Sequence, residues 1–387
     1  MSVARSTKPS ASVVGPIRVM IVDDSVVVRG HIRHWIESEP GLAVVASVRD
    51  GHDAVDQVAG ADPDVVVLDI EMPGLDGVSA LPLLLGKSPD VAVIIASSLT
   101  RHNAEIAMKA LSLGALDCIA KPDAGVLDGL AAFRRELTAK IWELGAARRK
   151  RRGEPFERIV APHEAPVSAL PVRAAAVPQG TGEGMRLRAW PRILPKVLVI
   201  GASTGGPQAL SQLLSGITGV SERSPILITQ HMPATFTTML AEHLTRTSGR
   251  PVREAEDGEP VRAGRVYLAP GGLHMRVARR NGNAVITLDD GAPVNHCRPS
   301  VNPLFTSAAQ VWGSWVLGAI LTGMGSDGRD GAADIVAAGG AIIAQDEASS
   351  VVWGMPAAAA EAGLCSAILD IDGIALKVTQ LFAGDRK

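Results

Sequence analysis

Two blocks of short, Val- and Ile-rich runs recur through this sequence, the first at roughly 20–25-residue intervals, and that rhythm restricts the fold more than any other feature. In the first block the runs are Ile17–Val22, Val44–Val48, Val65–Leu68, Val91–Ala96 and Cys118–Ala120. In the second they are Lys196–Ile200, Pro225–Thr229, Arg265–Leu268, Val316–Leu321 and Ala341–Ala344. A strand that is apolar on successive residues is buried on both faces, the condition of a parallel sheet covered by helices. Arg101–Leu113 has helical spacing through Ile106, Met108, Ala110 and Leu113, with Gly114 just past its end. Met275–Leu288 breaks the rhythm: it alternates and contains Asn281-Gly282, a hairpin signal. The expectation is an α/β chain of two doubly wound parallel-sheet domains in tandem, the second with a β-hairpin insertion.

Between the blocks, from about Glu143 to Arg192, the pattern lapses. Arg148–Arg152 is a basic cluster, followed by repeated prolines with Ala and Gly. The stretch reads as a mobile linker, and its basic run as a solvated part of it rather than a nucleic-acid or membrane patch. The organisation expected is a flexible tail over 1–16, a first domain over 17–137, a linker over 138–192 and a second domain over 193–387. A formal net charge of −2 argues against a surface built for polyanions, and one Tyr and five Phe offer little for stacking on single-stranded nucleic acid. The apolar runs are far too short to span a bilayer, and Met1–Pro16 lacks the apolar segment of a secretory signal. Cys118, Cys297 and Cys365 lie far apart without metal-ligand spacing, as expected of unpaired thiols in a reducing cytosol. A soluble, cytoplasmic protein is expected, not inserted in a membrane and not bound to nucleic acid.

In an open parallel sheet, ligands bind outside the carboxyl ends of the strands. Asp23 and Asp24 follow the first run, Asp69 the third, Ser97 the fourth and Lys121 the fifth. Three carboxylates gathered there would repel one another unless a cation compensates, and a hard divalent ion such as Mg²⁺ suits them. An ammonium and a hydroxyl opposite could bind the oxygens of a phosphoryl group carried by one carboxylate. Any one Asp alone reads as part of a solvated edge; five residues at matching strand ends do not.

The strings Ile21-Val-Asp-Asp-Ser25, Leu68-Asp-Ile-Glu-Met-Pro-Gly74, Ser97-Ser-Leu-Thr100 and Ala120-Lys-Pro122 resemble those of response-regulator receiver domains over about residues 17–137. The resemblance implies a flavodoxin-like fold with Asp69 as phosphoacceptor. It also implies Mg²⁺ held by Asp23, Asp24, Asp69 and the backbone carbonyl of Glu71, with Ser97 and Lys121 on the phosphoryl oxygens. One position departs: Cys118 stands where such domains usually carry Tyr or Phe, which puts the usual aromatic rotamer switch in question.

A second set of residues follows strands of the second block. Gly201-Ala-Ser203-Thr-Gly-Gly206 succeeds one run and precedes a helix expected from Pro207. Gln230-His231-Met-Pro233 follows the next, and Leu321-Thr-Gly-Met-Gly-Ser-Asp-Gly328 a later one. Ser203, His231 and Asp327 can therefore converge at one sheet edge as nucleophile, general base and orienting carboxylate. A serine hydroxyl needs such a base at neutral pH, and backbone N–H groups of the glycine-rich loops could form an oxyanion hole. Alone, the first loop could cradle phosphate, His231 be structural and Asp327 a turn residue or helix cap. The loop matches neither the dinucleotide nor the Walker pattern, and the order Ser, His, Asp differs from that of the α/β-hydrolases.

GASTGGP (Gly201–Pro207), QHMP (Gln230–Pro233), YLAPGGLHM (Tyr267–Met275), RPSVNPLF (Arg298–Phe305), LTGMGSDG (Leu321–Gly328) and QDEASSVVWGMP (Gln345–Pro356) resemble the catalytic domain of the chemotaxis protein-glutamate methylesterases over about 193–387. The resemblance implies a Rossmann-like domain with Ser203 as nucleophile, His231 as base, Asp327 as orienting acid, the Met324 N–H as oxyanion donor and Thr204 as a supporting residue. It implies substrates that are methylated glutamyl side chains, and certain glutamines, on chemoreceptor cytoplasmic helices, with a chemotaxis histidine kinase as phosphodonor. No metal is expected in the hydrolysis. Asn302 and Ser350 stand where Asp and Cys are expected, neither at a triad position. The competing expectations are a non-enzymatic switch, a DNA-binding regulator, for which no recognition helix is legible, or a nucleotide-binding output domain.

Overall fold

The computed structural model describes residues 15–98, 100–122, 127–154 and 185–384. The first domain alternates strand and helix: β1 (Ile17–Val22), α1 (Val26–Glu37), β2 (Leu42–Val48), α2 (Gly51–Ala61), β3 (Val65–Asp69), α3 (Gly77–Lys87), β4 (Ala92–Ser97), α4 (Arg101–Ser112), β5 (Asp117–Ala120) and α5 (Leu127–Arg151). Its strands form one parallel sheet in the order β2-β1-β3-β4-β5. Residues 65–68 and 92–96 are buried at every position, as their unbroken apolar runs require. The helices start where short polar side chains can take an orphan N–H: Ser25, Asp50, Asp76 and Thr100 cap α1 to α4 in this way.

The second domain runs β6 (Val197–Ala202), α6 (Gly206–Gly216), α7 (Thr218–Ser221), β7 (Ile226–Gln230), α8 (Phe236–Ser248), β8 (Val252–Glu254), β9 (Val266–Leu268), β10 (His274–Arg280), β11 (Asn283–Asp289), α9 (Val301–Trp312), β12 (Val316–Ile320), α10 (Arg329–Ala337), β13 (Ala341–Gln345), α11 (Met355–Glu361), β14 (Ala367–Leu369) and α12 (Ile371–Ala383). Seven parallel strands lie in the order β14-β13-β12-β6-β7-β9-β8, and β10-β11 is the expected antiparallel hairpin. Asn281 and Gly282 both take positive φ at its turn (48° and 81°), as a two-residue hairpin loop demands. The edge strands β8 and β14, three residues each, are additions to the sequence reading.

The linker boundary needs correction. Helix α5 continues to Arg151, so a domain end at residue 137 falls within it. Arg148 and Arg149 are not solvated linker residues; they are 2% and 6% exposed, and both pair with buried Asp64 at 2.8 Å. A carboxylate at the start of β3 would be costly to bury alone, and two guanidiniums offset that cost. The tail reading over 1–14 and the linker reading over 155–184 lie outside the described residues.

The two domains meet along α4 and the start of β5. Helix α4 lies against α8 and α6, and one apolar cluster includes Met108 and Leu111 together with Leu210 and Met239. Met324 and Val351 of the second domain pack on the cluster of the first-domain core that holds Ile94 and Ile119. Polar bonds fix the register: Gln208 Nε2 donates to the carbonyls of Leu111 (3.1 Å) and Ala115 (2.7 Å), and Gly205 N to that of Leu116 (3.2 Å).

Candidate active site and its acidic cleft

At the carboxyl edge of the first sheet, Asp23, Asp24 and Asp69 bring carboxylate oxygens within 4.8 Å of one another. Lys121, carried by the end of β5, puts Nζ 2.7 Å from both Asp23 Oδ2 and Asp69 Oδ1. Asp69 is buried, and burial raises its pKa against the opposing pull of Lys121 while Asp23 adds to the rise. Burial works against the Lys121 charge, but the two carboxylates outweigh it and raise its pKa. One ammonium cannot neutralise three carboxylates, and the hard oxygen donors fit a magnesium-sized cation. Ser97 is buried beside them and donates to the Ser98 carbonyl. Glu71 turns its carboxylate toward α4, accepting from Asn103 Nδ2 at 2.9 Å. Cys118 is 4% exposed in β5, with its thiol pushed up by burial, and has no ring to swing between inner and outer positions.

In the second sheet, β12, β6 and β7 are neighbours, so the loops at their carboxyl ends share one edge. These loops carry Asp327, Ser203 and His231. Ser203 follows β6 directly; its N–H donates to Thr322 O (3.0 Å), and its carbonyl accepts from Gly206 N (2.7 Å) and Gln230 Nε2 (2.9 Å). The turn depends on missing side chains. A Cβ on Gly323 would sit 2.7 Å from Ser203 Cβ and 2.5 Å from Met355 Sδ. Gly205 has φ +76°, and its Cβ would meet Val351 at 2.6 Å.

His231 Nε2 lies 2.8 Å from Asp327 Oδ2. Asp327 also accepts from Val301 N (2.6 Å), Ser300 Oγ (2.8 Å), Asn295 Nδ2 (3.0 Å) and Asn302 N (3.3 Å), at the N-terminus of α9. Burial alone would raise its pKa, but the His231 bond and charge and the surrounding donors hold it down at about 2. Burial disfavours the His231 charge, yet the neighbouring Cys297 sulfur and Asp327 raise its pKa well above the ordinary histidine range.

The three expected triad residues are thus on one edge, but among the described residues no hydrogen bond joins Ser203 Oγ to His231. Nδ1 faces Cys297 Sγ at 3.5 Å instead. Met324 is half-buried beside the first domain, and its N–H has no acceptor among the described residues. Thr204 turns its hydroxyl to Asp117 Oδ2 of the first domain. Asp117 is held in turn by buried Lys140 at 2.6 Å. Asn302 accepts from Gly331 N (2.9 Å) and so ties α9 to α10, while Ser350 donates to Asp346 O (2.6 Å). Sequence reasoning missed Cys297, Asp117, Asn295 and Ser300. For Cys297 the only signal was its place just before the RPSVNPLF string.

An acidic cleft with a lysine on one parallel sheet, joined to a second sheet whose edge gathers Ser, His and Asp, defines a response regulator with an enzyme-type output domain. The chain matches the family described as CheB methylesterase over residues 198–378 and that described as response regulator receiver domain over 19–128. It is 55% identical over 395 residues, 100% of both chains, to a protein-glutamate methylesterase/protein-glutamine glutaminase of group 2 operon from Rhodopseudomonas palustris. To the protein-glutamate methylesterase/protein-glutamine glutaminase of Nitrobacter hamburgensis it is 57% identical over 371 residues, 96% of this chain and 95% of that one. The crystal structure of the Thermotoga maritima CheB methylesterase catalytic domain is 40% identical, with TM-score 0.47, over 49% of this chain and 100% of that one. The chain belongs to the protein-glutamate methylesterase/protein-glutamine glutaminase family.

Proposed function

We propose that this chain hydrolyses methyl esters of glutamyl side chains, and deamidates certain glutamines, on the cytoplasmic helices of chemoreceptors, at a rate set by phosphorylation of Asp69. The observation that carries the reading is the His231–Asp327 pair at 2.8 Å, on the same sheet edge as the tight turn that holds Ser203. Ser203 Oγ attacks the ester carbonyl while His231 takes its proton. Because Nε2 is committed to Asp327, Nδ1 is the nitrogen open to that proton. The Met324 N–H donates to the developing oxyanion, methanol leaves with the proton from His231, and water then releases glutamate and free serine. The same sequence with an amide expels ammonia. Thr204 supports the nucleophile's turn.

In the receiver, Asp69 takes the phosphoryl group from a chemotaxis histidine kinase. Mg²⁺ would be held by the carboxylates of Asp23, Asp24 and Asp69 and the Glu71 carbonyl, and supplies charge neutralisation for the transferred group. Ser97 and Lys121 bind the phosphoryl oxygens, and Lys121 is then drawn from its two carboxylates. The unphosphorylated receiver covers the approach to Ser203, a reading supported by the α4 contact and the Asp117–Thr204 bond. Phosphorylation releases that contact and admits the receptor helix.

The test is methanol release from methyl-labelled receptor membranes by the wild type and Ser203→Ala, with and without a small phosphodonor. Release should vanish with the substitution and rise with the donor. Release retained in Ser203→Ala would overturn the hydrolase assignment; a donor without effect would overturn the coupling.

A further inference from the structure

The hydrolysis needs the imidazole of His231 at one orientation, and the structure holds the ring by two partners rather than one. Nε2 meets Asp327 at 2.8 Å and Nδ1 meets Cys297 Sγ at 3.5 Å. The sulfur comes from the segment between β11 and α9, where Val294 and Cys297 exchange backbone bonds (3.1 and 2.9 Å) and fix the thiol's position. The same segment sends Asn295 Nδ2 to the other oxygen of Asp327. His231 and its carboxylate are therefore gripped from one short turn.

We propose that Cys297 is a positioning residue for the ester hydrolysis, its thiol holding His231 Nδ1 toward the site until Ser203 takes its place. This rests on the reading of His231 as the base for Ser203. In the neutral imidazole that acts as base, with Nε2–H donated to Asp327, Nδ1 carries the lone pair, and a thiol is the kind of partner that can hold it and still yield. S–H is a weak donor, so exchange for the Ser203 hydroxyl costs little. An ammonium at position 297 would bind more firmly and compete with the nucleophile. The charged or titratable groups facing His231 are Asp327 and Cys297; Arg298, next in sequence, turns away to the carbonyls of Asp290 and Gly291.

The chain offers a clean way to address this thiol. Of its three cysteines, Cys118 and Cys365 are buried, and burial pushes the Cys365 thiol up to about 12. Cys297 alone is part-exposed. The full-length protein, activated by a small phosphodonor, would be assayed for methanol release as wild type, Cys297→Ala, Cys297→Ser and Ser203→Ala. For Cys297→Ala, kcat should fall by about tenfold with KM unchanged, since a freed ring spends less time aligned. Cys297→Ser should recover most of kcat.

Carboxamidomethylation of the wild type by iodoacetamide, with the adduct mapped to Cys297, should abolish turnover and leave Cys297→Ser untouched. This arm needs no altered fold. A Cys297→Ala enzyme with wild-type kcat, or full turnover in protein alkylated at Cys297, would overturn the proposal. Turnover retained in Ser203→Ala would overturn the underlying reading, and the proposal with it.

Discussion

Thr204→Val is the most direct probe of whether the receiver restrains the nucleophile loop, as proposed. The substitution keeps the side chain's shape and removes the hydroxyl that donates to Asp117 Oδ2 across the domain contact. Asp117 is not orphaned, because it keeps Lys140 Nζ at 2.6 Å and the Cys118 N–H at 2.8 Å. The loss is therefore that of one hydrogen bond to a charged acceptor, about 1.5 kcal/mol, without a stranded carboxylate. At 1.4 kcal/mol per decade, the closed arrangement loses about tenfold against the open one. Unphosphorylated Thr204→Val should then release methanol about tenfold faster than unphosphorylated wild type, and the stimulation by a phosphodonor should shrink by the same factor. Methanol release from labelled receptor membranes reads both rates. A basal rate unchanged in Thr204→Val, with the donor-stimulated rate intact, would refute the restraint. A fall in both rates would instead make Thr204 part of the catalytic support alone.

Other expectations follow from the same geometry. Asp327→Asn should cut kcat by about 10³-fold or more, because the amide cannot hold the imidazole in the same tautomer or stabilise its charge. The pair also sets a pH window for stability. The Asp327 pKa is depressed to about 2, so its contribution is present above the unfolded carboxylate value near 4 and is lost as pH falls toward 2, which acid unfolding monitored by circular dichroism would read. Chelating Mg²⁺ should remove the donor-stimulated increment of methanol release and leave the basal rate, since the proposed Ser203 hydrolysis draws on no metal. Arg148→Met should destabilise the receiver by about 3 kcal/mol in urea unfolding, as buried Asp64 loses one of its two guanidiniums; a midpoint unchanged from wild type would contradict that pairing.

The strand cores and the residues at their carboxyl ends were legible because both depend on local pattern. An unbroken run such as Val65–Leu68 announces burial on two faces, and whatever follows it stands at the ligand edge. What escaped depends on partners distant in sequence. Arg148 and Arg149 belong to a run of charges that reads as solvated until Asp64, over 80 residues earlier, is found beneath them. Cys297 and His231 are 66 residues apart and meet only because the segment after β11 folds back over the sheet edge. The edge strands β8 and β14 are too short to carry a period.

The covering of α4 has a consequence for how the signal is read out. Both contacting surfaces lie on one polypeptide, so their association is unimolecular, and its equilibrium does not change with the amount of protein in the cell. A two-protein inhibitor would lose its grip on dilution and tighten it on overexpression. Under the proposed coupling, the fraction of open enzyme would depend on the chemical state of the receiver and not on copy number. Cells that inherit unequal numbers of molecules at division would then differ in total capacity, while the proportion of that capacity in use stays matched to the incoming phosphoryl flux. Any other protein that reads the α4–β5 face of this receiver must also displace the chain's own second domain, so binding there would itself open the enzyme.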